Sequence, residues 1–210
     1  MSQPLLSVVI CTRNRAPFLA PCIESVLAQD YPRDRYELIV VDNGSTDDTP
    51  AIARRYGERG VRYVLEPVPG LSKARNTGTA HAGGDYVGHL DDDATADPGW
   101  LQAVAESVRL TQGRAVWIGG AIYLQWAAPE PAWINDELRV PLGYLYWGDQ
   151  PRELEPTERL GGGNSFYRRD RLLELGGFDE RLGRQGGNLL SGEETQLQKR
   201  IEREGGRLFY

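Results

Sequence analysis

Residues 83–94 read Gly83-Gly84-Asp85-Tyr86-Val87-Gly88-His89-Leu90-Asp91-Asp92-Asp93-Ala94, a strand-like apolar run, Tyr86 to Leu90, that stops on three consecutive acids. Two carboxylates about 4 Å apart repel by about 4 kcal/mol at an effective dielectric of about 20. A packed cluster therefore calls for a cation, a proton or open solvent. Asp42 ends an earlier apolar run, Glu37 to Val41, in the same way. Strand ends in an α/β sheet are where ligands bind. The plainer alternative is an acidic turn in solvent.

Working outward, Leu5 to Thr12 and Glu37 to Val41 are short and rich in β-branched residues, the pattern of buried parallel strands. Leu19, Ile23, Val26 and Leu27 recur at helical spacing, with Pro17 and Pro21 in the early turns and Pro32 beyond the end, which predicts a helix over Ala16 to Gln29. Thr49-Pro50 reads as an N-cap and first helical residue, and Gly57 and Gly60 as the close of a second helix. A strand over Val61 to Leu65 and a helix over Ser72 to Ala82 lead back to the acids. Strands alternating with helices imply a mainly parallel sheet in an α/β domain.

The 210 residues suffice for one large domain or two intimate halves, divided here as 1–98 and 99–210. A formal charge of -6 argues against a nucleic-acid partner, which needs a basic face. An acidic protein that holds a diphosphate beside its own aspartates must bring in a divalent ion, and Mg²⁺ or Mn²⁺ suits an all-oxygen site. Cys11 and Cys22 do not form a CxxC pair and read as free, reduced thiols. No signal-peptide pattern is present, and the uncharged stretch Ala115 to Ala128 is too short to span a bilayer, so a cytoplasmic protein is expected.

Five segments, Ser7 to Arg15 (SVVICTRNR), Val40 to Thr49 (VVDNGSTDDT), Gly70 to Val87 (GLSKARNTGTAHAGGDYV), His89 to Ala94 (HLDDDA) and Ser191 to Ile201 (SGEETQLQKRI), occur in an order that resembles family 2 glycosyltransferases. The resemblance implies a GT-A fold, with a Rossmann-like nucleotide-binding half merged with an acceptor-binding half. It also implies metal-dependent, inverting transfer of a sugar from a nucleotide-sugar donor to a saccharide or lipid-linked acceptor. Thr12 and Asp42 would contact base and ribose, Asp42 accepting from the imide of a UDP- or dTDP-type base, with Arg13 and Asn14 just beyond. Arg75 would face the nucleotide, with Lys73 nearby.

Within the acid triplet, the DxD reading makes Asp93 the direct ligand of Mg²⁺ or Mn²⁺, and Asp91 the contact to ribose, sugar or metal-bound water. Asp92 joins the donor-binding set with its side chain turned away from the other two, because alternate residues of an extended segment face opposite ways. Glu194 matches the aspartate that takes the acceptor's proton, with a glutamate in its place, and Glu193 is the substitute. Structural alternatives stand beside these roles. Asp42 can simply form the turn before Asn43-Gly44, Arg75 and Lys73 can be solvated, and Ser191 with Glu194 spells a capping box.

Trp126, Trp133, Tyr144, Tyr146 and Trp147 offer faces for an acceptor, although core or lid packing is the first expectation. Gly161-Gly162-Gly163 before a strand over Ser165 to Tyr167 admits a ligand or a bulge, while His81 and His89 read as structural. Arg207 to Tyr210 looks like the opening of a strand. Relatives of this kind continue, some with a metal-site histidine and some with membrane helices, which is compatible with peripheral attachment to a membrane. A nucleotidyltransferase is the second class, but Thr12-Arg13-Asn14-Arg15 lacks the glycines of its phosphate loop. A catalytically silent nucleotide-sugar binder is the third.

Overall fold

A computed structural model describes residues 3–185 and 190–210. In chain order its main elements are β1 (Leu6–Thr12), α1 (Ala16–Leu27), β2 (Tyr36–Asp42), α2 (Thr49–Arg55), β3 (Val61–Leu65), α3 (Leu71–His81) and β4 (Tyr86–Asp91). There follow α4 (Trp100–Leu110), β5 (Ala115–Gly119), α5 (Asp136–Arg139), β6 (Asn164–Arg168), α6 (Arg169–Glu174), α7 (Glu193–Arg203) and β7 (Arg207–Phe209). Among the described residues the strands form one seven-stranded sheet in the order β3-β2-β1-β4-β6-β5-β7. The first four run parallel, β6 is antiparallel to both its neighbours, and β7 is parallel to β5. The sheet crosses residue 98 without a break, because β4 pairs with β6.

Alternation along the strands makes two apolar layers. Leu6, Val8 and Ile10 of β1 face one side with Leu38 and Val40, against Leu19 and Ile23 of α1, Ala53 of α2, and Leu101 and Val104 of α4. Val9, Ile39, Val41 and Val87 face the other, against Ala74 of α3, Leu172 of α6, and Leu197 and Ile201 of α7. β1 is therefore buried on both faces, which is why its sequence is a continuous apolar run rather than an alternating one. The chain steps outward from β1 to β3, then returns through α3 to place β4 on the far side of β1. That reversal sets the carboxyl ends of β1 and β4 side by side, the position at which open α/β sheets bind ligands.

Element ends differ from the sequence expectation where side chains find better partners. α1 stops at Leu27, and Gln29 leaves the helical path to donate to the Asp97 carbonyl at 2.7 Å and accept from the Leu101 amide at 2.9 Å. Thr49 is the first residue of α2 rather than its cap; its amide donates to Asp47, and its hydroxyl accepts from the Arg15 amide at 3.0 Å. Ser191 caps nothing either. The N-cap of α7 is Gly192, at φ 105°, with no side-chain cap bond. The capping-box reading of Glu194 is thereby corrected, since a left-handed residue turns the chain before the serine can reach the helix.

His89 has its ring packed edge-on against Phe178 at 5.4 Å and Tyr167 at 5.9 Å, with neither nitrogen hydrogen-bonded. Burial, and then the charge of Arg75, push its pKa well below the usual value, so it is a neutral core ring, as read. On the opposite face, Gly88 pairs directly with the fully buried Phe166 of β6. A Cβ on Gly88 would lie 2.5 Å and 2.7 Å from two atoms of that ring, which is itself wedged against Trp100. Gly88→Ala is expected to destabilise the fold by about 1–3 kcal/mol through overpacking, read as a lowered urea midpoint.

Candidate active site

Strand register gathers the first set of residues. Thr12 pairs with Asp42, and Cys11 pairs with Asp91, so three strand ends present Thr12, Asp42 and Asp91 along one edge. Asp42 is 1% exposed, and its oxygens accept from the Ser45 amide at 2.9 Å and the Tyr63 hydroxyl at 2.7 Å. Burial, then Asp42, push the Tyr63 hydroxyl up to about 12, so it stays a donor. The next loop is stitched to the same edge by Asn14, at φ 54°, whose side-chain oxygen accepts from the Thr46 amide at 2.7 Å. Asp42 thus does form a turn, as the structural alternative held, while Asn14 ties two loops together. Arg13 is exposed beside them.

The acid triplet divides in a way that strict alternation does not predict. β4 ends at Asp91, and a turn closed by the Ala94 amide on the Asp91 carbonyl carries Asp92 and Asp93 to the same side. Arg15 pairs with both, at 3.3 Å to Asp92 and in a short contact to Asp93. Burial pushes Asp92 up, opposed by Thr12 and Arg15. Asp92 therefore points away from Asp91, as expected, but not away from Asp93. The period-two rule fails because these residues are no longer extended.

Asp91 faces a different cation. Arg75, on the inner face of α3 and 3% exposed, lies 3.7 Å from Asp91, 3.0 Å from Glu193 and 2.7 Å from Glu194. Its guanidinium also sits 5.4 Å over the Phe178 ring. The alternative that Arg75 is a solvated charge is corrected: it is a buried counter-ion for three carboxylates, because α7 brings two acids against its polar end. Lys73, by contrast, turns outward to Glu180 at 3.4 Å.

The two glutamates differ through burial. Glu193, with Leu197 and Ile201, belongs to the buried face of α7, and burial followed by the charge of Glu194 pushes its carboxyl up. For Glu194, burial is outweighed by Arg75, which holds the carboxyl below its usual range. Arg75 thus favours the charged form of Glu194, whereas burial favours the neutral form of Glu193. Asp91 and Glu194, far apart in sequence, thus meet on one guanidinium with their side chains 55% and 21% exposed.

Other residues enter only through the fold. Arg15 and Tyr63 complete the edge, and nothing in their local sequence marks them. The aromatic stretch is not core: Trp133 is 72% exposed, Trp126, Tyr146 and Trp147 are exposed too, and Tyr144 is half-buried. Cys11 and Cys22 are free thiols, as read.

Replacing Arg75 by Met removes the charge that favours the ionised form of Glu194 against its burial. Arg75→Met should destabilise the protein by about 3–5 kcal/mol at pH 7 in urea unfolding. The sign of the pH dependence follows. With Arg75 the Glu194 carboxyl is held below its unfolded value, and without it burial pushes that carboxyl above it, so the deficit shrinks as pH falls from 7 towards about 4.3.

A family model described as Glycosyl transferase family 2 matches residues 7–171. The chain is 31% identical over 216 residues to the glucosyl-dolichyl phosphate glucuronosyltransferase of Haloferax volcanii, a match covering 98% of this chain and 66% of that protein. It is 36% identical over 102 residues to glycosyltransferase AglE of the same organism, across 47% of this chain and 34% of that one. Its fold matches that of the mannosyltransferase PcManGT from Pyrobaculum calidifontis, solved with GDP-Man and Mn²⁺. That match has a TM-score of 0.71 at 24% identity, over 99% of this chain and 55% of the other. The chain therefore spans only part of the length of these relatives, and its fold is GT-A. With the sheet, the helical layers and the ordered motifs all in agreement, the chain belongs to glycosyl transferase family 2.

Proposed function

We propose that this chain is the catalytic part of a glycosyltransferase that moves a sugar from a nucleoside-diphosphate sugar to an acceptor hydroxyl with inversion. The observation that carries this reading is the meeting of Asp91 and Glu194 on Arg75, which sets a donor-side acid beside a base whose charged form is favoured. The acceptor oxygen attacks the anomeric carbon as its proton passes to the Glu194 carboxylate, and the bond to the diphosphate breaks with its electron pair leaving on the nucleotide. A carboxylate held this acidic takes the proton late, once bond formation has acidified the hydroxyl. Glu193, buried and pushed towards its neutral form, supports the geometry and is the less suited base.

On the donor side, Thr12, Asp42, Arg13, Asn14 and Asp92 line the edge where base and ribose would lie. Asp42 already accepts two hydrogen bonds, and its remaining lone pairs suit the imide N–H of a UDP- or dTDP-type donor. The side chains of Asp93 and Asp91 are 49% and 55% exposed, and no group of three or more metal-ligating side chains occurs among the described residues. One or two carboxylates completed by substrate phosphates is the way Mg²⁺ is commonly held, so this donor set fits Mg²⁺ or Mn²⁺, with Asp93 as the principal ligand and Asp91 beside it. When bound, the ion would neutralise charge on the departing diphosphate. Arg15 balances Asp93 meanwhile.

A saccharide or lipid-linked acceptor is supported by the exposed rings between Tyr123 and Trp147, which offer stacking faces, and by the dolichyl phosphate in the name of the Haloferax relative. Among the described residues no helix is long and apolar enough to cross a membrane. Peripheral association with a cytoplasmic membrane face accords with a lipid-linked acceptor.

Two variants separate the roles. Asp93→Ala should abolish the Mn²⁺-dependent thermal shift given by UDP-, GDP- or dTDP-sugars while keeping the parent melting temperature without metal. An undiminished shift removes Asp93 from the metal site. Glu194→Gln should retain that shift and lose about 100-fold or more of nucleoside-diphosphate release in the presence of acceptor, whereas parental turnover would move the base to Glu193.

A further inference from the structure

Gly162 and Gly163 lie just before β6, and unlike Gly44, Gly60 or Gly70 neither has a positive φ. Their backbone would accept alanine, so the missing side chains have another cause. A Cβ on Gly162 would clash with Oε1 of Glu194 and lie 2.7 Å from both its Cδ and its Cγ. A Cβ on Gly163 would clash with Oδ2 of Asp91 and lie 2.9 Å from its Cγ. Gly161, one residue earlier, meets no acid; its Cβ would touch Ile122 instead. Two adjacent glycines thus seat, one each, two of the three carboxylates that Arg75 joins.

The backbone beneath them is pinned and cannot back away. Leu90 of β4 pairs with Asn164, which brings Gly163 beside Asp91. The Asn164 side chain accepts from the Trp100 indole at 2.8 Å and donates to the Ala121 carbonyl at 2.9 Å. Ser165 donates to the Gly161 carbonyl at 2.6 Å and accepts from the Trp117 indole at 2.8 Å. Any added methyl must therefore be accommodated by the carboxylates, which are the free ends of rotatable side chains.

We infer that Gly162 and Gly163 are positioning residues, whose lack of a side chain sets where the Glu194 and Asp91 carboxylates rest. Gly162 governs the base and Gly163 the donor-side acid. The steric part stands on the geometry alone; its kinetic consequence rests on the proposed roles of Glu194 and Asp91.

Gly162→Ala and Gly163→Ala test this, with crystal structures and kinetics of each. Both should fold with melting temperatures within about 4 °C of the parent, since the clash is relieved by side-chain rotation. Gly162→Ala should show Glu194 swung off Arg75 with Asp91 in place, and a kcat lowered about 100-fold at nearly unchanged donor KM. Gly163→Ala should show the reverse displacement and a raised donor KM. Carboxylates unmoved on Arg75 in both variants, or loss of folding in either, would overturn the inference. Displaced Glu194 with parental kcat would uphold the positioning and instead remove Glu194 as the base.

Discussion

One guanidinium holds the site together. Arg75 reaches from α3 to the end of β4 and to the start of α7, and three carboxylates converge on it. Without a cation at that point, the acids would repel one another and Glu194 would lose the charge that favours its ionised form. Arginine suits this better than lysine, because a planar fork presents several donors in fixed directions, whereas an ammonium is a single point of charge. Because α3 packs on the sheet through Ala74 while α7 packs through Leu197 and Ile201, the ion cluster sits on a rigid apolar base.

A second cation divides the acids. Arg15 takes Asp92 and Asp93, and Arg75 takes Asp91, so consecutive residues of one triplet belong to different electrostatic neighbourhoods. The exposed pair at Arg15 is weakly held, as surface ion pairs are, and its partner can be exchanged for a more highly charged one at small cost. The pair at Arg75 is held more firmly because the guanidinium is shielded from water. The acid triplet therefore has one end whose ion pair is readily exchanged and one whose ion pair is fixed.

Sheet topology explains why these groups lie together. The chain leaves β1 towards β3 and then crosses back through α3 on the other face, so β1 and β4 are neighbours whose carboxyl ends lie side by side. Thr12 and Asp91 end adjacent strands there, and Gly162 and Gly163, which lead into the antiparallel β6, lie against Glu194 and Asp91. Small residues there give the acids room that any β-carbon would fill.

Much of this was legible in the residues themselves. Apolar runs such as Leu5 to Thr12, helical spacing in Leu19, Ile23 and Val26, and acids at strand ends follow from local periodicity, and they specified a mainly parallel α/β sheet with carboxylates on its edge. The order of five motifs added the family, and with it the expectation that Asp93 and Glu194 are functional acids. The partners of those acids were not legible. Asp92 and Asp93 were expected to face apart and instead share Arg15, the solvated alternative for Arg75 gave way to three carboxylates from β4 and α7, and the capping-box alternative for Ser191 and Glu194 gave way to a left-handed Gly192. Charges pair with whatever the packing of distant elements brings within reach, and that distance is fixed by the sheet and its helices rather than by any spacing along the chain.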